Sequence, residues 1–380
     1  MKNSLAGISA AGVLGVLPCS RLAASEVALT QDFTDGQMLG KMRFVSESGR
    51  VGRVRGTGLN GRLAFDLSSL QADKMSAAND EFFIRTRVPD GLDYAARDPW
   101  KIRINGLVQE ELEVKLEDLL PEVEPQGDHV LECSGNARGL AFGLLSATSW
   151  KGVPLQSVLD RSSIRSEATC VRISGVDAHS RSPRNSRVGA SWVMTMDEVR
   201  QYRPFLATEM GGEPLTEDHG KPVRLIIPNW YGCTCIKWVD EISFLDDKAE
   251  STGQMKEFAS RTHQRGVPDL AKDFRSATMD LAAMPVRVEK WRVKQETLYR
   301  IVGIIWGGKQ TTDRLMIRFN REDPVPVESY EHTSNTTWNL WSHTWRPEKP
   351  GRYRIRMSVD DDNISTNRLD RGFYSRTVEI

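Results

Sequence analysis

The run His129-Val130-Leu131-Glu132-Cys133-Ser134-Gly135-Asn136-Ala137-Arg138 constrains this chain more than any other stretch. An apolar segment of strand character ends in a cysteine, and a turn of small residues follows at once. Gly and Asn tolerate the left-handed backbone that such a turn needs, so main chain can come close to a bulky ligand. A thiolate is a soft anionic donor, and the Arg that closes the run is a fixed cation with a planar fork suited to an oxyanion. Two readings stay open from these residues: a buried free thiol at a strand end, and a thiol ligand beside an anion pocket.

The rest of the chain bounds the choice. Its 380 residues are enough for two or three domains, and the 51 basic side chains balance 51 acidic ones. That balance argues against general nucleic-acid binding, which needs a basic face, yet it leaves room for a local cationic pocket. The start, Met1-Lys2-Asn3 followed by an apolar run from Leu5 to Leu17 and small residues near Ser25, reads as an export signal over 1–25. Its apolar core is too short for a span, so no stable membrane span is expected in the mature chain. No twin-Arg precedes it. Cys19 would leave with the signal, and Cys133, Cys170, Cys233 and Cys235 would remain, as free thiols or with one pair bridged. No Cys-x-x-Cys-His occurs, so no covalent c-type haem is expected, and Cys233-Thr234-Cys235 lacks the second pair of a zinc site.

Short periodic segments dominate. Lys101 to Ile104 and Leu112 to Leu116 alternate about an Asn105-Gly106 hairpin signal. Val171 to Ile173, Val223 to Ile227 and Trp238 to Ile242 read as further strands, with helices opening at Pro154 and over Met196–Tyr202. Mixed elements without a βαβ rhythm imply α+β. Gly56-Thr57-Gly58-Leu59-Asn60-Gly61 matches a dinucleotide fingerprint but follows no strand, so a surface loop is expected. Residues 251–280 are polar and linker-like. Beyond them, Leu298 to Ile305, Leu315 to Phe319 and Tyr353 to Val359 suggest a β-sandwich, with Trp338, Trp341 and Trp345 in its core or at an interface.

Several of these segments together resemble the sulfite oxidase family of molybdopterin-dependent oxidoreductases. The Cys133 run resembles its metal-ligating loop. Phe82-Phe83-Ile84-Arg85-Thr86-Arg87-Val88-Pro89 is similar to its Phe-x-x-Arg segment, with Arg87 in place of the family His. Trp150-Lys151-Gly152-Val153-Pro154-Leu155, Asp218-His219-Gly220-Lys221-Pro222-Val223-Arg224 and Lys237-Trp238 match further motifs. Ile305-Trp306-Gly307-Gly308 and Pro350-Gly351-Arg352-Tyr353 resemble its C-terminal immunoglobulin-like domain. Two departures stand out. Val188 replaces a Tyr before Gly189-Ala190-Ser191, and Trp150 follows Cys133 after a short loop. Both make the chain similar to divergent members such as the haem-free sulfane or sulfite dehydrogenase subunits.

The resemblance implies a division into an export signal (1–25), an N-terminal extension (26–79), a molybdopterin-binding α+β domain (80–250), a linker (251–280) and an immunoglobulin-like dimerisation domain (281–380). It implies Mo-molybdopterin, with Cys133 as the protein ligand to molybdenum. Arg85, Arg138 and Arg371 would face the substrate oxyanion. His179, Ser191, His219, Arg224 and Lys237 would contact the pterin. It further implies a periplasmic or secreted homodimer that oxidises sulfite or a related sulfur compound and passes electrons to an external cytochrome c. An S-oxide reductase of the same fold and a cofactor-free secreted binding protein are the alternatives.

Overall fold

Alternating residues become sheet faces throughout this molecule, which a computed structural model describes for residues 33, 35–45, 47, 51–177 and 189–380. The export-signal segment, His179 and Val188 lie outside the described residues. Helices are few and short: Leu155–Leu159, Met196–Tyr202, Gly253–Phe258 and Asn367–Asp370 are the described α-helices. The fold is therefore mixed in content but dominated by sheet. No described helix is long and apolar enough to cross a membrane.

Two five-stranded sheets build the central part. In the first, Lys101–Gly106 lies between Leu112–Lys115, antiparallel, and Val239–Leu245, parallel; Cys170–Gly175 and Ser191–Thr195 complete it. Ile102 and Ile104 are fully buried while Lys101 and Arg103 point outward, as the period-two pattern requires. The Asn105-Gly106 hairpin signal does not make a two-residue turn. Gly106 instead ends its strand at φ +83°, where a Cβ would lie 2.2 Å from Phe244 O, and the connection runs on to Leu112. In the second sheet, Glu124–Glu132 pairs with Leu145–Pro154, which pairs with Phe205–Met210; Glu213–Pro214 and Arg224–Ile226 add to the last.

The C-terminal part contains two antiparallel sheets. One carries Gly36–Met42, Ala282–Val293, Glu296–Trp306, Asn339–Trp345 and Ser329–Tyr330; the other carries Val325–Pro326, Leu315–Phe319, Arg352–Val359 and Arg376–Glu379. Trp345 of the first stacks on Phe319 of the second at 4.5 Å, with Tyr353 edge-on at 4.7 Å, so their inner faces meet through aromatic rings. Trp338, Trp341 and Trp345 are all buried, Trp338 against Phe65 and Met75. Gly303 leaves the space for Trp341, whose ring would lie 2.0 Å from a Cβ there.

Two segments outside these sheets matter for the site. The N-terminal extension is stitched to both halves, because Gly36–Met42 pairs with Ala282–Val293 and Arg62–Leu63 pairs with Ile84–Arg85. Residues 251–280, expected as a linker, are packed: Met255, Ala277 and Met279 are buried, and Gln254, Glu257 and Phe258 wall a cleft in the central part.

Candidate active site

Cys133 follows directly on the strand Glu124–Glu132, whose Val130 and Leu131 are buried in the core. Its backbone N–H donates to Leu144 O at 2.9 Å, and its carbonyl accepts from Asn136 N at 2.8 Å, which closes the turn. Asn136 Oδ1 accepts from Leu144 N at 3.1 Å, so the Asn fastens the loop to its own return strand. The Gly135 N–H lies 3.4 Å from Cys133 Sγ, a donor aimed at the sulfur. The thiol opens into a cleft with about 940 Å³ of empty space, part of it open to solvent.

Three cations, Arg85, Arg224 and Lys237, line the cleft with three carboxylates, Asp177, Asp218 and Glu257. Arg224 is 6% exposed; it donates to His219 O at 3.1 Å and Cys235 O at 3.5 Å, and its Nε has no partner. Burial lowers its pKa to about 10. Lys237 Nζ donates to Asp218 O at 2.7 Å, to Arg85 O at 3.5 Å and to Thr86 O, and it lies 4.5 Å from the Trp238 ring. Burial first, and Arg224 next, push its pKa well down. Thr86, a β-branched residue, sits at φ +74°, a conformation that costs on the order of 1–3 kcal/mol; it aims consecutive carbonyls at Lys237. Gly220, at φ +102°, lies where a Cβ would press within 3.1 Å of both Lys237 and Arg224. A half-buried ammonium beside a buried guanidinium, both solvated mainly by carbonyls, is a setting that an anionic ligand completes.

His219 takes a different part from the expected one. Its Nε2 donates to Phe82 O at 3.2 Å and its Nδ1 accepts from Thr216 Oγ1 at 2.7 Å, so both ring nitrogens are engaged within the chain. Burial, then Arg224 and Lys237, hold its pKa down to about 3. The ring is neutral and lines the cleft as a brace between two segments. Arg87, which stands where the family has a His, is committed to Asp218 at 2.8 Å. Gly61 makes room for it, since a Cβ there would lie 2.1 Å from Arg87 Cγ.

The other expected residues divide. Arg85 lines the cleft with Cys133, and its Nη1 donates to Leu59 O at 2.9 Å. Arg138 does not join them. Its Nη2 donates to Ser375 O at 2.6 Å and Ser375 Oγ at 3.2 Å, because the turn after Asn136 carries it toward the C-terminal strands. Arg371 is exposed at the end of the helix Asn367–Asp370 and is not a lining residue. Ser191 stands at the rim with its hydroxyl on Gly189 O, while its neighbour Ala190 lines the cleft. The Gly56–Gly61 segment is not a plain surface loop, since Leu59 is buried and lines the cleft. Cys133, Cys170, Cys233 and Cys235 are all free thiols. Burial pushes Cys233 and Cys235 up, so both are neutral walls of the cleft.

Sequence reasoning missed Arg368. Its guanidinium pairs with Glu132 at 3.3 Å and donates to Ser134 O at 2.9 Å and Arg261 O at 3.1 Å, behind the Cys133 loop. Tyr374 and Trp306 also donate to Glu132, at 2.7 and 3.2 Å. The sequence gives no signal for this network, because Glu132 reads as a strand residue and Arg368 lies in a polar stretch.

Among the described residues, no three His, Cys, Asp or Glu side chains converge as a metal cluster. A metal at Cys133 would thus draw its other donors from a cofactor, and the neighbouring Arg224 and Lys237 side chains fit the phosphate of such a group.

Comparison with known proteins points to a cofactor-dependent oxidoreductase. Residues 87–253 match the oxidoreductase molybdopterin binding domain. The mitochondrial sulfite oxidase of Rattus norvegicus is 29% identical over 196 residues, 47% of this chain and 35% of that protein. A nitrate reductase [NADPH] of Beauveria bassiana is 29% identical over 203 residues, 48% of this chain and 22% of its own length. The chain thus spans about a fifth to a third of these relatives. In fold it is similar to the sulfane dehydrogenase SoxCD from Paracoccus pantotrophus, with a TM-score of 0.61 at 17% identity, over 95% of this chain and 86% of that one. An oxidoreductase domain replaces the alternative of a cofactor-free binding protein. Residues 87–253 thus carry an oxidoreductase molybdopterin binding domain, which implies Mo-molybdopterin as the cofactor, and the chain is similar to members of the sulfite oxidase family.

Proposed function

We propose that this protein oxidises a small sulfur compound, sulfite or a related sulfur oxyanion or sulfane sulfur, and passes the electrons to an external cytochrome c. The observation that carries the reading is that Arg85 lines, together with Cys133, a cleft that Arg224 and Lys237 also line. Bound there, the molybdenum cofactor supplies two-electron oxygen-atom transfer. Cys133 gives it one protein thiolate, steadied by the Gly135 N–H. Lys237 and Arg224 hold the anionic end of the pterin as charges that need no reorganisation. His219 stays neutral, keeps Phe82 and Thr216 in position and adds no competing proton donor to the cleft. Arg85 orients the substrate oxyanion by a charge-assisted contact.

The rest of the reading follows from the resemblance. Residues 1–25 direct export to the periplasm or outside, and the C-terminal sheets form an immunoglobulin-like unit that joins two copies of the chain. The fold similarity to a sulfane dehydrogenase and the identity shared with a sulfite oxidase support sulfur oxidation. Nitrate reductases among the relatives favour a second reading, reduction of an S-oxide or other oxoanion. A panel of sulfite, thiosulfate, persulfide and S-oxides separates the two, with ferricyanide and cytochrome c as acceptors and a reduced dye as donor. Sulfite- or sulfane-dependent reduction of cytochrome c is expected. Turnover only with the reduced dye and an oxoanion would replace the first reading with the second.

A further inference from the structure

We propose that the outer face of the four-stranded C-terminal sheet, where Arg138, Arg318, Arg354 and Arg356 gather beside the exposed Phe373, is the docking surface for an electron-accepting protein whose contact face is acidic. The inference rests on the reading of this chain as an oxidoreductase that hands its electrons to a separate carrier. It gives that carrier a surface made of residues that do not line the cleft.

Period-two alternation buries Leu315, Ile317, Tyr353, Ile355 and Met357 and leaves Arg318, Arg354 and Arg356 on the opposite face. Arg318 and Arg356 are direct cross-strand partners. Like charges so placed destabilise a sheet unless something compensates them. The segment from Gly372 to Ser375 draws the other cations together. Arg354 Nη2 and Arg138 Nη2 both donate to Ser375 Oγ, at 2.8 and 3.2 Å, although Arg138 comes from the Cys133 loop. Arg356 packs on Gly372, where a Cβ would lie 3.1 Å from its Nε, and it donates to Asp370 O at 3.3 Å. Burial first, then Arg318 and Arg354, lower the pKa of Arg356. None of the four arginines makes an ion pair with a described carboxylate. Two acids stand by: Glu379 is paired with Arg352 on the same face, and the Asp370 carboxylate accepts from Thr366 Oγ1 at 2.8 Å.

Phe373 gives the face an apolar anchor. It is 38% exposed, while Tyr374 next to it is buried, with the two rings 5.0 Å apart. Aromatic rings and arginines are the residue types enriched where proteins meet. The same two rings lead inward. Tyr374 Oη donates to the Glu132 carboxylate at 2.7 Å, and Glu132 is bonded directly to Cys133. A carrier seated on Phe373 is therefore separated from the Cys133 loop by two aromatic rings and one carboxylate. Each substrate oxidised releases two electrons, which two oxidised one-electron carriers take singly, and two protons, which pass to water. A second copy of the chain fits this face poorly, because a two-fold contact would set the cations against themselves. An acidic face cancels them, and their field speeds its approach at low ionic strength.

The test uses the full-length, molybdenum-loaded protein and two c-type cytochromes, one with an acidic and one with a basic surface around its haem edge, with binding read by surface plasmon resonance. The parent is expected to prefer the acidic one, and to bind it more weakly as salt is raised. Arg354→Glu with Arg356→Glu, and separately Phe373→Ala, should each weaken that binding by roughly tenfold or more, with molybdenum content and chain mass in light scattering unchanged. In turnover, KM for the acidic cytochrome should rise, while reduction of phenazine methosulfate, a small acceptor that needs no docking, keeps the parent's rate. Because Arg318 and Arg356 repel each other, Arg356→Gln should melt no lower than the parent. Arg354 is exposed, so Arg354→Glu alone tests the face if the double variant fails to fold. Binding equal to the parent's in these variants, a parent that prefers the basic cytochrome or binds neither, or a change of chain mass that gives the face to a second copy would overturn the inference. If the variants lose the acidic cytochrome while the parent oxidises no sulfur compound, the docking surface stands and the proposed function falls. If the parent oxidises sulfite with the dye and the variants bind the cytochrome as the parent does, the reverse holds.

Discussion

Replacing Arg368 by methionine tests whether the Cys133 loop is braced from behind. Glu132 is 1% exposed, and its carboxylate receives Arg368 at 3.3 Å, Tyr374 Oη at 2.7 Å, Asn136 Nδ2 at 3.3 Å and Trp306 Nε1 at 3.2 Å. Removing the cation leaves a buried carboxylate with neutral donors only. Breaking a buried pair from one side typically costs about 3–5 kcal/mol, and the surviving donors put this case at the low end, about 3 kcal/mol. Tyr374→Phe removes one neutral donor and should cost about 1 kcal/mol. The double variant Arg368→Met with Glu132→Gln should recover part of the first loss, because the uncompensated charge is gone. Urea unfolding of the full chain at pH 7 gives these differences, and molybdenum content reports on the loop. Arg368 also holds Ser134 O and Arg261 O, so cofactor occupancy should fall in the single variant. A loss below about 1 kcal/mol with full molybdenum would show that the network is incidental to the loop.

Two further outcomes follow from the cleft. The imidazole of His219 has a pKa of about 3 when folded, against an ordinary value of 6.5, so the unfolded chain binds the extra proton first. Its contribution to stability is present above pH 6.5 and is lost as pH falls toward 3, by at most about 1.4 kcal/mol per pH unit. His332 shifts the same way, so the comparison is with His219→Gln, whose loss of stability between pH 7 and pH 4.5 should be shallower than the parent's. Parallel curves would place the acid sensitivity in other groups. Lys237→Met should leave a folded chain that keeps less than a tenth of its pterin and molybdenum, measured by fluorescence of the released pterin and by elemental analysis. Full occupancy in that variant would remove Lys237 from the cofactor site.

How much of this was legible in the sequence depends on the reach of each signal. Period-two alternation over Lys101 to Ile104 and Tyr353 to Val359 marked strands whose buried faces are as expected, since alternation is a local property. The Cys133 turn, Arg85, Arg224 and Lys237 were found through motifs and lie in one cleft. Long-range choices were not legible. Arg138 lies in the motif yet points to Ser375, because the direction of its side chain depends on strands far along the chain. Leu59 comes from a loop set aside as surface and Glu257 from a segment set aside as linker; only pairing and packing bring them to the cleft. His219 was found by motif, but its engaged nitrogens could be seen only once Phe82 and Thr216 were in place.

The central claim is that Cys133 is the protein's sulfur ligand to molybdenum, and X-ray absorption at the molybdenum edge tests it most directly. Parent protein and Cys133→Ser would be loaded in the same host and compared at equal pterin content. The account predicts one sulfur neighbour fewer in the variant, with oxidase activity lost and the fold retained. An unchanged sulfur count, with activity like the parent's, would contradict it.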